Sequence, residues 1–351
     1  MQKKQIIKIL MTAALCMGLT GCIGKSSGGT LTQQGMEAIE SGDYAAAGEN
    51  FNQALAGGED AVLAYRGLGL SLMGQANYEQ ALEAFEQALS YTDEKMPDTV
   101  EDIQLYKASA QFRLKDYEGT IDTCSTILEN DDQMVDAYYL RGAGFLCQGS
   151  QDKAKVDFDQ AAALTPKDYE LYLNIYEVYQ TQNLSGVGDE YLQTALNIAP
   201  SGVEDYYSIG RIYFYLGQYD EAQTALLSPV DQEYQPALYL MSRIYLEQED
   251  YAHAKAMYET IQQKNGDSAE VYNGLALCSI AAGEYDEALT YISQGLALNE
   301  NAGRQELLFN EIVAYEKKLD FGTAKVKAQA YVEAYPTDEA GQKEMDFLSS
   351  R

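Results

Sequence analysis

The sequence lacks most of the residues from which catalytic and metal sites are built. It contains one histidine, His253, among 351 residues, and it contains no tryptophan. His253 lies in a helical pattern on the face expected to meet solvent, so no Ser-His-Asp set can be assembled around it. The phosphate-binding pattern GxxxxGKS/T and the zinc-binding pattern HExxH are both missing. The sequence therefore predicts a protein that is not an enzyme and that binds no cofactor or metal.

Basic residues and proline are also scarce. Lys and Arg together number 24 against 54 Asp and Glu, which gives a formal net charge of −30. This charge opposes binding to nucleic acid and favours cationic or neutral partners. The 6 prolines are few, as suits a mostly helical protein. The 29 tyrosines and 9 phenylalanines indicate a folded chain, because disordered chains lack aromatic residues on that scale.

The N-terminal segment has the layout of a secretory signal. Residues 1–8 are basic, and residues 9–19, ILMTAALCMGL, form an apolar run too short to span a bilayer as a stable helix. The run ends in Leu19-Thr20-Gly21-Cys22, which resembles the lipobox of bacterial lipoproteins. The resemblance implies cleavage after Gly21 and attachment of a diacylglyceryl group to the sulfur of Cys22. An ordinary signal peptide, or a short membrane span with an incidental cysteine, is the alternative.

These features predict that the protein is attached to a membrane through its N-terminus. Residues 1–21 are interpreted as a lipoprotein signal peptide and residues 22–30 as the lipidated cysteine with a flexible Gly/Ser-rich tether. The lipid on Cys22 would hold the protein on the extracytoplasmic face of the cell membrane. Position 23 is isoleucine and not the aspartate that retains lipoproteins at an inner membrane, so in a two-membrane host we expect the outer membrane by analogy.

The rest of the chain is dominated by an internal repeat. GDYAAAGENFNQAL (42–55), ANYEQALEAFEQAL (76–89) and GEYDEALTYISQGL (283–296) align without gaps. One aromatic slot recurs at a spacing close to 34 residues, with a small residue usually three positions after it and another nine positions before it. The nine slots hold Tyr44, Tyr78, Tyr117, Gln151, Ser185, Tyr219, Tyr251, Tyr285 and Phe321.

Over residues 28–338 this pattern resembles the tetratricopeptide repeat family. The resemblance implies an all-α, right-handed solenoid of about nine helix-turn-helix repeats, with residues 339–351 as a C-terminal capping helix and tail. Helical periodicity gives the same hairpin, because each unit has two amphipathic stretches joined by turn residues and cannot bury both faces alone. Within the array at 31–338, the repeats fall near 28–61, 62–95, 101–134, 135–168, 169–202, 203–234, 235–268, 269–302 and 305–338.

Two features depart from a regular array, and three cysteines lie within it. Residues 96–100, MPDTV, are an insertion that we expect to form a loop at Pro97, and Pro229 is expected to shorten the second helix of repeat six. Cys124, Cys147 and Cys278 fall inside predicted helices and match no metal pattern, so we expect buried thiols. A disulfide bond between Cys124 and Cys147 is the alternative, because adjacent repeats could bring the two residues together.

The resemblance also implies a binding surface. In this family the first helix of each repeat lines the concave groove, and its register can be carried over to this sequence. The groove would then present aromatic residues and two arginines, residue types that anchor protein interfaces. In the alternative, these tyrosines pack between repeats and both arginines pair with Glu177 or Glu204. The groove candidates are Tyr139, Tyr207, Arg211, Phe214, Tyr239 and Arg243, with Leu146, Leu173, Tyr215, Leu246 and Asn273 beside them.

The sequence thus favours a non-enzymatic protein-binding scaffold on the outer face of a bacterial membrane. It would capture a protein or peptide in its groove for envelope, secretion or surface-complex assembly, with no nucleic acid and no small-molecule substrate as partner. The alternative is a structural component that self-associates into an envelope assembly.

The lipid anchor gives the first testable prediction. Replacing Cys22 with alanine removes the sulfur that the diacylglyceryl group requires, so incorporation of labelled palmitate should be lost. The chain should also move from the detergent phase to the aqueous phase. Cys16→Ala, which changes the other cysteine of the same segment, is the matched control and should label normally. Continued labelling of the Cys22→Ala variant would contradict the assignment.

Overall fold

The computed structural model describes residues 30–93, 95–298 and 303–350. The signal peptide, Cys22 and all but the last residue of the tether lie outside this range. The described residues form nineteen α-helices and no strand. The helices alternate as nine antiparallel hairpins followed by one further helix, and this confirms the predicted all-α repeat fold. In each hairpin, the odd-numbered helix is called the first helix and the even-numbered helix the second.

The chain divides into two compact units, residues 1–198 and residues 199–351. The described part of the first unit consists of five hairpins, and each helix packs on the helices that precede and follow it within the unit. Its helices are α1 (Leu31–Glu40), α2 (Tyr44–Ala56), α3 (Ala61–Gly74), α4 (Tyr78–Ser90), α5 (Pro97–Arg113), α6 (Tyr117–Asn130), α7 (Val135–Cys147), α8 (Gln151–Leu164), α9 (Tyr169–Thr181) and α10 (Ser185–Ala195).

The second unit contains four hairpins and the last helix. Its helices are α11 (Val203–Tyr215), α12 (Tyr219–Asp231), α13 (Gln235–Glu247), α14 (Tyr251–Asn265), α15 (Ala269–Ala282), α16 (Tyr285–Ala297), α17 (Arg304–Lys317), α18 (Phe321–Ala334) and α19 (Glu339–Ser349). Every second helix, in this unit as in the first, begins at the residue of the repeated aromatic slot.

The turn inside each hairpin is closed in the same way throughout. The residue two positions before the aromatic slot is left-handed, as at Gly283 (φ 81°) and Leu319 (φ 65°). In the eighth hairpin the Gly283 amide donates to the carbonyl of Ile280 at 3.1 Å, and the Glu284 amide donates to that of Ser279 at 2.8 Å. These bonds satisfy carbonyls that the helix end leaves without partners. The common geometry explains why turns of different sequence orient the second helix alike.

Second helices begin with a cap in several hairpins. The side chains of Asp43, Asp116, Asp250 and Asp320 each accept a hydrogen bond from the backbone amide three residues later. An aspartate at this position satisfies one of the free amides of the first turn and interacts favourably with the helix dipole. The turn residues of the sequence therefore fix both the end of one helix and the start of the next.

The hairpins are joined by aromatic rings that lie on glycine backbone. Phe51 of α2 is fully buried between Gly35 of α1 and Gly67 of α3, so its ring contacts its own hairpin and the next one. A Cβ atom on Gly35 would lie 2.7 Å from the ring, and one on Gly67 would lie 2.2 Å from it. Only glycine leaves room for this approach. Burial of such a ring stabilises the fold by about 1.5–3 kcal/mol.

Close approach of a ring to glycine backbone recurs in both units, within hairpins as well as between them. Gly69 faces Phe85 and Gly142 faces Phe158, and a Cβ atom on these glycines would lie 2.4 and 2.8 Å from the respective rings. In the second unit Gly274 of α15 faces Tyr258 of α14, where the corresponding distance is 2.2 Å. Three glycines of the repeat pattern, Gly35, Gly69 and Gly142, are thus positions at which a neighbouring ring fills the space that a Cβ would occupy.

Two of the predicted irregularities are wrong. Pro97 starts no loop but is the first residue of α5, where its missing amide is not needed and its fixed φ suits a helix. Pro229 does not shorten α12, which continues to Asp231 and has 13 residues like α2 and α4. Pro229 is buried in the last turn of α12, where the loss of one hydrogen bond is tolerated.

The last helix covers the end of the second unit, as predicted. Leu348 of α19 is buried, and Gly341 lies against the ring of Tyr331 in α18. The Tyr331 hydroxyl donates to a carboxylate oxygen of Asp338 at 2.6 Å and accepts from Gln305 at 3.0 Å. One tyrosine therefore links α17, α18 and the residue that caps α19. Such a cap covers apolar surface that would otherwise face water.

The ring-on-glycine contact predicts the effect of adding one methyl group. Alanine in a helix is ordinarily more stable than glycine by about 1 kcal/mol. We expect Gly67→Ala to destabilise the protein by about 1–3 kcal/mol instead, because its methyl group overlaps the buried Phe51 ring. Urea unfolding followed by circular dichroism measures the difference. Gly186→Ala is the control, since a Cβ there meets no atom within 4 Å, and it should be neutral or stabilising. Equal behaviour of the two variants would contradict the packing account.

Candidate binding cavity

A cavity of about 270 Å³ opens on the first helices of the second unit. Residues of α11 and α13 form most of its wall, and α15 contributes one residue. Six of its nine residues are aromatic rings or arginines. Its lining consists of Tyr207, Arg211, Phe214, Tyr215, Pro236, Tyr239, Leu240, Arg243 and Glu270.

Both arginines of the cavity lie against aromatic rings. The guanidinium carbon of Arg243 is 4.9 Å from the centroid of the Phe214 ring, and that of Arg211 is 5.9 Å from the Tyr207 ring. Such cation–π contacts contribute about 0.5–1 kcal/mol at exposed sites. They also restrict the planar guanidinium groups, so less conformational entropy is lost when their N–H groups bind a ligand.

The rings are themselves fixed by neighbours. Phe214 is almost completely buried, and its centroid lies 5.9 Å from that of Tyr219 at the start of α12. Tyr207 meets Tyr234 edge to face with 5.4 Å between centroids. Tyr239 is partly buried and packs against core residues of its own and the next hairpin. The cavity is therefore built on rigid helices, which favours binding without large rearrangement.

Five of the six principal groove candidates line this cavity, namely Tyr207, Arg211, Phe214, Tyr239 and Arg243. Tyr139 does not join them. It belongs to the first unit and is buried, with its ring centroid 6.1 Å from that of Phe158. Burial raises its pKa above the ordinary tyrosine value. Tyr139 therefore packs inside its own hairpin, between α7 and α8, and does not line the cavity.

The secondary candidates divide in the same manner. Tyr215 lines the cavity, whereas Leu146 and Leu173 are buried in the first unit. Leu246 is half-buried, and the side chain of Asn273 accepts a hydrogen bond from Asn310 at 2.7 Å. The register thus predicts which helix face a residue occupies but does not predict whether a neighbour covers it.

Sequence reasoning missed Pro236, Leu240 and Glu270. Pro236 and Glu270 both occupy the second position of a first helix, a register position that faces the groove in this family. The signal for these two residues was therefore present, but neither is an aromatic residue or an arginine. Leu240 carried no such signal, because its position belongs to the core face of α13.

The three cysteines of the array are free thiols, so no bridge joins Cys124 to Cys147. Burial raises the pKa of Cys124 to about 12 and that of Cys278 to about 11. Cys147 is only half-buried, and its sulfur lies 3.6 Å from the amide nitrogen of Gln182. The prediction of a buried thiol is thus correct for two of the three residues.

The single histidine, His253, lies at the surface and does not line the cavity. The His253 side chain is 69% exposed, stacks on Tyr245, and has its Nδ1 atom 2.7 Å from a carboxylate oxygen of Asp250. Its predicted solvent-facing position is confirmed. Across residues 30–93, 95–298 and 303–350, no three His, Cys, Asp or Glu side chains cluster in a way that could hold a metal ion. Within the same ranges, none of the helices has the length and apolar character needed to span a bilayer.

Family comparison identifies the repeat. Models described as tetratricopeptide repeat match residues 32–98, 68–135, 206–227 and 245–308, which together cover more than half of the chain. The chain belongs to the tetratricopeptide repeat family. Proteins of this family generally act as protein-interaction scaffolds and are typically not catalytic.

Individual relatives are distant. The chain is 26% identical over 120 residues to the DnaJ homolog subfamily C member 3 homolog of Dictyostelium discoideum, a match that covers 34% of this chain. The chain spans only about a quarter of that relative, since the match covers 24% of its length.

Solved structures of similar fold are also distant in sequence. A tetratricopeptide repeat protein from Parabacteroides merdae is 18% identical, with 71% of this chain and 97% of that chain covered and a TM-score of 0.46. The pilF protein of Pseudomonas aeruginosa is 21% identical, with 63% and 99% covered and a TM-score of 0.41. Neither likeness bears on what this chain binds.

The thiol environments predict a clear order of reactivity. The thiolate is the reactive form, and burial raises the pKa of all three thiols. Cys147 is only half-buried, whereas Cys124 and Cys278 are buried, so a reagent reaches Cys147 most readily. At mildly alkaline pH, a water-soluble aromatic disulfide should therefore modify Cys147 first and the other two only in denaturant. The Cys147→Ser variant should lose the fast phase. A fast reaction at Cys124 in the native protein would show that the first unit is less tightly packed than described.

Proposed function

We propose that this protein is a non-enzymatic scaffold that captures a protein or peptide in the cavity of its second unit. The observation that supports this proposal most directly is that aromatic rings and two arginines line one cavity, on α11 and α13, the first helices of successive hairpins. Tyrosine and arginine are enriched among residues that dominate binding energy, and this cavity presents both on rigid elements. The family's general role as interaction scaffold supports the same conclusion.

We further propose that the lipid on Cys22 holds the scaffold on the outer face of a bacterial membrane. The support is the sequence Leu19-Thr20-Gly21-Cys22 after a basic region and an apolar run. Each buried methylene group contributes about 0.8 kcal/mol, so two acyl chains bury enough of them for durable anchoring. The array would then present its cavity to envelope, secretion or surface-complex proteins.

Site-specific photocrosslinking in intact cells tests the binding role. A photoreactive phenylalanine analogue replaces Tyr239, which lines the cavity, or Tyr206, which is 40% exposed on α11 and does not line it. We expect one or a few discrete protein adducts from position 239 and none of these from position 206, because only the first lies where a partner would be held.

The mass of the adducts separates the outcomes. An adduct between this chain and a different protein supports capture in the cavity. An adduct of twice the mass of this chain would support the self-associating structural role instead. No adduct at position 239, or the same adducts at both positions, would contradict the proposal.

A further inference from the structure

Arg243 is held differently from two other arginines of the chain, Arg141 and Arg66. Arg141 donates two hydrogen bonds of 2.8 Å to the buried carboxylate of Asp157, and Arg66 forms an ion pair with Asp102. Among the described residues, no carboxylate lies within ion-pair distance of Arg243, whose guanidinium group instead lies over the Phe214 ring. This exposed arginine therefore keeps its charge without a carboxylate, in a chain of net charge −30.

An arginine held in this way has its donors available. The guanidinium carbon of Arg243 lies 4.9 Å from the centroid of the Phe214 ring, and a phenyl ring accepts no conventional hydrogen bond from the five N–H groups of the guanidinium. These groups match the two oxygens of a carboxylate and can bind both at once. Since Arg243 lines the cavity, a carboxylate bound there would lie among the aromatic rings.

We propose that the cavity selects peptide segments in which an Asp or Glu side chain lies next to an aromatic or aliphatic residue. This inference rests on the proposed function and names the chemistry of its partner. The carboxylate binds Arg243, with Arg211 on the neighbouring helix adding positive potential. The apolar neighbour contacts Tyr239, Leu240 and the other rings of the wall.

The lining favours a peptide of this kind over a polyanion. Two arginines and Glu270 give the cavity a single net positive charge, and the remaining lining residues are rings, Leu240 and Pro236. One carboxylate is therefore attracted, but a dense row of charges would meet Glu270 and the acidic surface of the chain. Apolar contact area is the larger share of what the wall offers.

The experiment is a selection of random peptides on the full chain in detergent. A phage-displayed library of linear peptides is enriched on the wild-type protein, and the selected peptides are then measured singly by fluorescence anisotropy. We expect the selected sequences to be enriched in Asp or Glu beside Phe, Tyr, Leu or Ile. Replacing the acid by its amide in a selected peptide should weaken binding by at least about tenfold, the effect of losing a charge-assisted hydrogen bond.

Two variants with opposite expected effects locate the contact. Arg243→Gln should weaken acidic peptides by at least about tenfold and should reduce the difference between acid and amide peptides to less than about twofold. Glu270→Gln should strengthen acidic peptides, because a like charge is removed. Lys343→Gln, an equal charge change at an exposed position of α19, is the control and should leave binding unchanged. Circular dichroism verifies that each variant is folded.

Each result has a distinct meaning. If no peptide is enriched, the proposed binding function itself fails. If peptides are enriched without preference for an acid, or if Arg243→Gln binds acid peptides as well as the wild type, the binding function stands and this inference is overturned. If polyphosphate displaces the peptides at equal concentration of charge, the cavity is a polyanion site and the inference is likewise overturned.

Discussion

Close contact between a buried ring and glycine backbone is the constraint that recurs in both units, and Phe51 makes it with two consecutive hairpins at once. A ring can approach a helix backbone this closely only where no Cβ projects from it. The ring then removes apolar surface from water on two helices at once. Since one hairpin has too little core of its own, these bridging rings supply stability that the isolated repeats lack.

The same constraint leaves other positions of the first helices free to serve function. Small residues and rings are committed to the contacts between helices, as at Gly274 and Tyr258. The groove-facing register positions of α11 and α13 are not occupied by these glycines, and there the chain carries Arg211 and Arg243, which line the cavity. Packing therefore determines where a binding surface can lie, and the remaining positions determine its chemistry.

The parts of the fold that could be predicted are those that repeat. Nine slots, most of them followed and preceded by a small residue, recur at a spacing close to 34 residues, so they reveal the hairpins in a single sequence. Features that occur once could not be predicted in this way. Proline at position 97 is compatible with a loop or with the first residue of a helix, and only the packing of α5 decides between them.

The candidate site shows the same division. Register placed Tyr207, Arg211, Phe214, Tyr239 and Arg243 on one helix face, and the structure brings these residues together. The register also placed Tyr139 on the equivalent face of its own helix, but in the structure this side chain is buried beside Phe158. Periodicity carries no information on the residues that lie across from a side chain.

A double-mutant cycle on Gly274 and Tyr258 tests the central claim most directly. The free energy of unfolding is measured for the wild type, Gly274→Ala, Tyr258→Leu and the double variant. If the glycine is required because of the ring, the alanine should cost at least about 1 kcal/mol less in the Tyr258→Leu background than in the wild type. If the two effects add to within about 0.5 kcal/mol, the ring and the bare backbone are not coupled, and the account of how the hairpins are joined is wrong.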